Sequence, residues 1–425
     1  MLAAFPNFND WINRLPDPRR LEFCRYLGSH LWWSIIATFL FRTGSRNAFD
    51  EKRLSGEAPW NLGDLCGQSA TDPRFDGQPT ITCSDNAALH ASRVDPEAVR
   101  ELPLQMIRQL MQRRFFDKAR LFDRWHMILM DGTVQEKCRQ NFTQGGKSAG
   151  TGEARYRYVL QALILGPEGV AFPLMHESID MHDPVADKED CELKAFIRLS
   201  QRLKADFPRL SICLIGDALY ACETVLRICR QNQWKYILTF KEGRQPTTWS
   251  EMLALLPLSR ANRLRVLIGP DGKRGLQDYR WVEHLMLGGL ETNAVVLGEI
   301  TPATATLYAY ITNFENLTAK RVEALVRAGR DRHIIEDDFN TDKNHGIGLG
   351  HVFCANQNGS KNYFTMMQVA QILWNLLSHG CLKRLYQWAR DATAQGMARA
   401  IWDALQAYRL PADLPPLGQI RFSSA

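Results

Sequence analysis

The sequence lacks several motifs that would assign the chain to a common class. Its ten cysteines form no CxxC pair and its ten histidines form no HExxH pattern. These absences argue against a zinc ribbon, a disulfide framework and a zincin-type protease. The amino-terminal residues have no basic start followed by an apolar run, so we expect no targeting segment and reduced cysteines.

Long apolar runs are also scarce. Leu31 to Phe41 is too short for the roughly 20 residues that a bilayer crossing needs. Residues 362–382 contain no Asp, Glu, Lys or Arg, but Gln368, Gln371 and Asn375 recur at spacings of three and four. That polar stripe is typical of a packed amphipathic helix, and we expect no membrane contact.

The composition is that of a folded protein. Hydrophobic residues make up 45% and charged residues 23% of the 425 positions, which excludes disordered, collagenous and coiled-coil chains. The length predicts about three domains or subdomains. The net charge of +6 is small, so any attraction to a polyanion must come from local clusters.

The patterning predicts an α/β fold with five regions. Residues 1–120 are expected to form a separate helical unit, with amphipathic segments near 20–42 and 95–118. The remaining regions are a first part of a mixed-sheet core at 121–244, a β-rich insertion at 245–313, a second part of the core at 314–390, and a tail at 391–425 with a possible role in dimerisation. A basic run on the second amphipathic segment is either a solvated face or a phosphate contact. It consists of Arg108, Arg113, Arg114, Lys118 and Arg120.

Two predicted strands end in a single carboxylate. Asp131 terminates Met127 to Met130, and Asp217 follows the strand that begins at Leu210. A charge at the edge of a buried sheet is costly unless it is paired or binds a metal ion. Each residue taken alone fits an ordinary strand-end or capping aspartate better than a metal ligand.

A third acidic candidate is Glu336. A helical pattern runs from Ala319 to about Asp342, in which Arg332 stands four residues before Glu336 and Lys343 seven after it. These spacings place the three side chains on one helix face. In isolation the segment is also compatible with a simple surface ion pair.

Together the three carboxylates predict a two-metal site. Hard oxygen ligands suit two Mg²⁺ or Mn²⁺ ions, which would promote in-line displacement at phosphorus. Arg332 and Lys343 would neutralise nearby phosphates.

At these residues the chain resembles the DDE transposases of bacterial insertion sequences, which have an RNase H-like catalytic core. The resemblance covers about residues 100–385 and rests on Met130 to Thr133, Ile215 to Tyr220 and the block around Glu336. One branch of that family has the signature Tyr, two residues, Arg, three residues, Glu, six residues, Lys. Arg332, Glu336 and Lys343 match it in register, whereas Gly329 stands at the tyrosine position. The spacings, 217 − 131 = 86 and 336 − 217 = 119, leave room for the β-rich insertion of that branch.

The resemblance implies Asp131, Asp217 and Glu336 as catalytic metal ligands, with Arg332 and Lys343 as contacts to the DNA ends. It further implies cleavage of terminal repeats and transesterification into target DNA by a homodimer on double-stranded DNA, in a cytoplasmic, nucleoid-associated bacterial protein. Two alternatives stay open: a hydrolytic nuclease with the same core, and a catalytically silent DNA-binding protein.

Several lesser candidates accompany these residues. A DNA channel lined by basic residues would involve Lys241, Arg244, Lys273 and Arg274, although solvated loops are the better explanation of these residues. Trp249 and Trp281 are candidates for base stacking or for core packing. Glu177 and Asp180 are expected in a surface loop, and Gly346 to Gly350 is expected to be a turn.

Overall fold

The computed structural model of the protein describes residues 4–69, 71–138, 147–148, 155–179, 188–269 and 275–411. The strands within these residues form one mixed sheet of ten strands. They are β1 His126–Cys138, β2 Lys147–Ser148, β3 Arg155–Leu165, β4 Ala171–Ile179, β5 Ile212–Gly216, β6 Lys235–Thr239, β7 Arg263–Ile268, β8 Gly275–Leu287, β9 Leu290–Ile300 and β10 Ala305–Thr312.

Helices precede, connect and follow these strands. The amino-terminal ones are α1 Phe8–Asn13, α2 Gly28–Leu40, α3 Arg46–Lys52, α4 Ala58–Cys66, α5 Ser84–Arg93, α6 Pro96–Val99 and α7 Glu101–Gln112. The others are α8 Lys188–Asp206, α9 Glu223–Asn232, α10 Pro246–Leu255, α11 Ala319–Arg330, α12 His333–Asn344, α13 Gln357–Leu377, α14 Lys383–Leu385, α15 Gln387–Asp391 and α16 Ala394–Ala407. The predicted α/β class is confirmed.

The centre of the sheet has the order β4-β3-β1-β5-β6. β1, β3 and β4 are antiparallel neighbours, whereas β5 and β6 run parallel to β1. β5 is buried at all five residues, as expected for a short apolar strand covered on both faces.

The predicted strands of the 245–313 segment are present as β7 to β10. They do not stand apart from the core, because β10 pairs antiparallel with β6 and so extends the same sheet. α10 precedes these strands, and Met252 in this helix is fully buried.

The amino-terminal helices are not the separate unit that the sequence predicts. α13 packs against α2 and α5 on one side and against β4 on another, so one continuous apolar core includes Phe39, Ile107 and Leu373. The polar stripe of α13 is confirmed as a packed one. Gln368 bonds His176 Nδ1 at 2.7 Å, and Asn375 donates to the Ala171 carbonyl at 2.8 Å.

No helix within the described ranges combines the length and the apolar character that a bilayer crossing demands. The nine cysteines described are free. Lys273, Arg274 and Asp180 lie outside the residues that the structure describes.

Candidate active site

Asp131 lies within a strand rather than at the end of one, which corrects the prediction. β1 continues to Cys138 because β3 pairs with it over this whole length, with Asp131 opposite Gln161. On its other edge β1 pairs with β5 from His126 to Leu129, and the last pair is Leu129 opposite Ile215. Asp131 therefore lies where β1 extends beyond its parallel neighbour, with its carboxylate, only 19% exposed, at one edge of the sheet.

Asp217 lies at the same level. It follows the last residue of β5 and stands two positions after Ile215, just as Asp131 stands two after Leu129. Its carboxylate accepts a hydrogen bond from the Leu219 amide at 2.9 Å and so caps the turn at Ala218–Tyr220. The two carboxylates, 86 residues apart in sequence (217 − 131), are neighbours in the fold.

The environment of Asp131 disfavours its charged form. Burial raises the pKa of this carboxyl to about 7, and the charge of Asp217 adds to the shift. Arg332 and a hydrogen bond of 2.9 Å from the Gly132 amide act in the opposite direction. A shift of this size is expected where carboxylates share a site with little water.

Arg332 connects Glu336 to Asp131. Arg332 Nη2 lies 2.8 Å from Glu336 Oε1, and Arg332 Nη1 lies 3.8 Å from Asp131 Oδ2. The structure therefore brings Asp131, Asp217, Arg332 and Glu336 together, as the sequence predicts. Among the residues that the structure describes, no three acidic, histidine or cysteine side chains are close enough to hold a metal ion, since the guanidinium lies between Asp131 and Glu336.

The helix that carries Glu336 is not continuous with the preceding helix, contrary to the prediction. α11 ends at Arg330 and α12 begins at His333. In a continuous α-helix the Ile334 amide would donate to the Arg330 carbonyl, four residues earlier. Here the His333 ring bonds that carbonyl at 2.7 Å, and the Ile334 amide donates to the Asp331 carbonyl, three residues earlier. This switch interrupts the α-helical ladder and places Arg332 at the start of α12, one turn before Glu336.

Contacts on the other side of α12 fix its orientation. Asp342 accepts a hydrogen bond from Gln371 of α13, and Arg42 from the amino-terminal helices donates to the His345 carbonyl at 2.9 Å. Burial raises the pKa of both Asp338 and Asp342, an effect that the Arg42 charge opposes. The buried face of α12 is thus clamped, which leaves Arg332 and Glu336 facing the carboxylate edge.

Gly329 lies where the transposase branch has its tyrosine, and the structure leaves no room for a side chain there. A Cβ atom would lie 2.6 Å from Tyr310 Cε1. Tyr310 is 5% exposed and belongs to β10, where it pairs with Thr239 of β6. β6 is the neighbour of β5, the strand that Asp217 follows. The ring of Tyr310 therefore fills the space beside α11, three residues before Arg332.

The other basic candidates lie at different distances from the carboxylates. Lys241 and Arg244 follow β6, whose carboxyl end adjoins that of β5, so they lie at the carboxylate edge. Lys343 is exposed at the far end of α12, with Nζ 5.9 Å from the Phe339 ring centre.

Arg113 and Arg114 lie elsewhere. α7 ends at Gln112, so they belong to an exposed turn and not to a basic helix face, which corrects that prediction. The following Phe115 packs against Phe172 at the start of β4. This position is at the opposite end of the central strands, and the structure does not bring these two arginines to the carboxylates.

The remaining candidates have structural roles. Trp281 is 4% exposed, and Trp249 packs on Phe240 with ring centres 5.2 Å apart. Glu177 is not in a surface loop but in β4, where it pairs with Arg198 at 2.6 Å and Arg202 at 3.0 Å. The Gly346 to Gly350 segment is a turn, as predicted, and the Gly350 amide bonds the Gln135 carbonyl of β1 at 3.0 Å.

The sequence analysis missed one acidic residue at this edge, Glu192 of α8. It is 6% exposed and lies against Gly132. A signal was present, since Ala195, Phe196 and Leu199 are all buried at helical spacing from it. A glutamate on the apolar stripe of a helix is a buried polar group that needs a partner, and the Tyr220 hydroxyl donates to this one at 2.9 Å.

Comparison with models of known protein families gave no match to this chain, and none was found among curated proteins. The residues and their geometry therefore carry the functional inference.

Proposed function

We propose that the protein is a DDE-type DNA transposase with an RNase H-like core, which cleaves the ends of an insertion sequence and joins them to target DNA. One observation carries the proposal: Arg332 contacts both Asp131 and Glu336, with Asp217 at the level of Asp131. Residues spread over more than 200 positions thus meet at one edge of the sheet. The central order β4-β3-β1-β5-β6 supports the finer fold assignment.

The donor set suits divalent cations. Asp131 and Asp217 provide hard carboxylate oxygens at matching positions of parallel strands, which is the chemistry that Mg²⁺ and Mn²⁺ prefer. Glu336 is the third proposed ligand, and its present partner is Arg332. When bound, two such ions would activate the attacking oxygen and neutralise the charge that develops at phosphorus.

The basic residues of the site suit the DNA backbone. Arg332 can bind a phosphate through two parallel N–H groups, and it needs only to exchange a carboxylate for a phosphate to do so. Lys241 and Arg244 lie at the same edge and Lys343 is exposed farther along α12, and all three would add sequence-independent attraction to the ends. Arg113 and Arg114, at the far end of the central strands, are left for contacts outside the cleavage site.

The proposed reaction has two steps. A water oxygen bonds to the phosphorus at the element end, and the bond from phosphorus to the 3′ oxygen breaks. The 3′-hydroxyl so released then attacks a phosphorus of the opposite strand or of the target, which forms a new phosphodiester and releases another hydroxyl. A homodimer would hold the two ends together.

The test is cleavage of a labelled DNA that carries the flanking ends of the encoding element, with Mg²⁺ or Mn²⁺. We expect Glu336→Gln to lower the cleavage rate at least about 100-fold, since several kcal/mol of transition-state stabilisation would be lost, while DNA binding persists. Asp337→Asn is the matched control, because Asp337 is exposed on the same helix and contacts only the exposed His333 among its described ion-pair partners.

The products distinguish the alternatives. Joined ends support a transposase, whereas cleavage without joining favours the hydrolytic nuclease. If the native protein binds the ends but never cuts them with either metal ion, it is a DNA-binding protein and the catalytic assignment is wrong.

A further inference from the structure

The segment that follows α13 exposes two large aromatic side chains and buries a small apolar one. Tyr386 is 51% exposed and Trp388 is 45% exposed, whereas Ala389 is fully buried. Folding is normally driven by removing the largest apolar surfaces from water. The short helix α15 instead turns its alanine inward and its tryptophan outward, which leaves two aromatic rings on the surface for a partner.

The guanidinium of Arg390 fixes the turn that carries these rings. Its Nε donates to the Lys383 carbonyl at 2.8 Å and its Nη2 donates to the Arg384 carbonyl at 3.5 Å, and both carbonyls belong to α14. Nη1 donates to Gln387 Oε1 at 3.2 Å. The two aromatic rings lie side by side, with their centres 6.4 Å apart and their planes tilted by 37°. The arginine thus connects α14 to α15 and holds the rings in one arrangement.

The same segment is rich in positive charge. Between Asp342 and Asp391 the sequence contains five Lys or Arg residues and no acidic residue. No carboxylate among the described residues lies within ion-pair distance of Lys383 or Arg390, and the oxygens that accept from Arg390 are neutral. Cations without a carboxylate partner attract a polyanion. The aromatic-basic patch is defined as Lys383, Arg384, Tyr386, Trp388 and Arg390.

This aromatic-basic patch is separate from the candidate active site. Asn375, near the end of α13, donates to the carbonyl of Ala171 at the start of β4. Ala171 pairs with Leu165 at the end of β3, so this is the end of the central strands opposite Asp131. From there the chain continues through a π-helical turn, Ser378–Leu382, into the patch. The exposed basic turn after α7 lies at the same end of the strands.

We propose that the aromatic-basic patch binds single-stranded DNA, with Tyr386 and Trp388 stacking on unpaired bases and the basic residues contacting the phosphates. Aromatic rings stack on any base, and cations beside them follow the backbone. Duplex DNA offers only its phosphates here, because its bases are already stacked and paired. A second copy of the chain is a poorer partner, because its own patch carries the same positive charge. The inference goes beyond the proposed cleavage reaction and depends on no metal ion.

The experiment measures binding of a labelled oligothymidylate of about 20 nucleotides to the full chain by fluorescence anisotropy, without divalent cations and at several salt concentrations. We expect Trp388→Ala to weaken binding at least about fivefold with an unchanged salt dependence, since a stacking contact is lost. Trp388→Phe, which keeps a ring, should recover most of the affinity. Lys383→Gln should instead reduce the slope of log affinity against log salt by about 0.7. With an oligonucleotide that contains 5-iodouracil, light should crosslink the base to Tyr386 or Trp388.

Tyr408→Ala is the matched control, because Tyr408 is 69% exposed at the end of α16 and lies outside the patch. It should bind the oligonucleotide as the native protein does. Both alanine variants remove an exposed ring, so their melting temperatures should stay near the native value. Glu336→Gln should also bind normally, so a failure of the proposed cleavage function leaves this result unaffected.

Three results would overturn the proposal. The first is native affinity in both Trp388→Ala and Lys383→Gln, with no crosslink in the patch. The second is an equal loss of affinity for duplex DNA of the same length in Trp388→Ala, which would show that the ring does not read unpaired bases. The third is a Trp388→Ala variant that binds the oligonucleotide normally but dissociates a dimer in sedimentation, which would make the patch a subunit interface.

Discussion

Gly329→Ala is expected to destabilise the protein even though alanine is the better helix former. In an exposed helix interior this change would stabilise by up to about 1 kcal/mol. Here the new Cβ would lie 2.6, 2.8 and 2.9 Å from Cε1, Cδ1 and Cζ of Tyr310. That ring is 5% exposed and has little space to retreat, and overpacking of a core costs about 1–3 kcal/mol. The net expectation is a loss of about 1–2 kcal/mol.

Calorimetry can measure this effect. With an unfolding entropy of about 2 cal/mol/K per residue, a loss of 1–2 kcal/mol lowers the melting temperature of a 425-residue chain by about 1–2 °C. The same substitution in a Tyr310→Leu background is the internal control, because the ring is then absent. There we expect Gly329→Ala to stabilise by about 0.5–1 kcal/mol, and the change of sign gives the coupling between the two residues.

The same variant reports on the active site. Gly329 stands three residues before Arg332, so a displaced α11 should move the guanidinium away from Asp131 and slow DNA cleavage. If Gly329→Ala raises the melting temperature equally in both backgrounds, the packing of α11 on Tyr310 described above is wrong.

Three further outcomes are expected. The pKa of Asp131 is about 7 in the folded protein and about 4 in the unfolded chain, so between these pH values the folded state holds a proton that the unfolded state has lost. The free energy of unfolding of the metal-free protein should therefore fall as pH rises from about 4 to 7, by at most about 4 kcal/mol. Denaturation at several pH values measures this dependence, and Asp131→Asn should flatten it. Arg42→Met should cost about 3–5 kcal/mol at high pH, because the buried carboxylates of α12 lose their counter-charge. The loss should be smaller at low pH, because the raised pKa values of Asp338 and Asp342 favour their neutral forms, so equal losses at both ends of the pH range would contradict the clamp. Lys343→Ala should reduce the salt dependence of binding to DNA ends by about one counterion, whereas Arg114→Ala, far from the carboxylates, should leave cleavage of bound ends unchanged.

Much of the sheet could be predicted from local patterns. The apolar runs and the turns between them predicted a mixed-sheet core at 121–244, where β1 to β6 lie, and a β-rich region at 245–313, where β7 to β10 lie, because burial on the sheet is reflected directly in the hydrophobic pattern. The prediction that β1 ends at Asp131 was wrong, because pairing with β3, a long-range contact, stabilises the polar residues from Asp131 to Cys138 as strand.

The site itself was predictable where sequence spacing fixes geometry. Arg332 and Glu336 at a spacing of four meet at 2.8 Å, even though the helix starts only at His333. That start depends on the contact between the His333 ring and a backbone carbonyl, which no periodicity encodes. Glu192 was missed because Gly132, the residue it lies against, stands 60 positions away (192 − 132), and the only clue to its position was an acidic residue on an apolar stripe.

The position of Arg113 and Arg114 shows a different limit. A basic run in sequence says nothing about which end of a sheet it will occupy. Only the packing of Phe115 on Phe172 places these arginines at the opposite end from the carboxylates.

The most direct test of the central claim is the metal preference of an Asp217→Cys variant in cleavage of DNA ends. A thiolate is a poorer ligand than a carboxylate for hard Mg²⁺ and a more acceptable one for Mn²⁺. We predict that the variant is inactive with Mg²⁺ and recovers cleavage with Mn²⁺, while it binds DNA ends as the native protein does. Cleavage by Asp217→Cys at the native rate with Mg²⁺ would contradict the claim that Asp217 holds a catalytic metal ion.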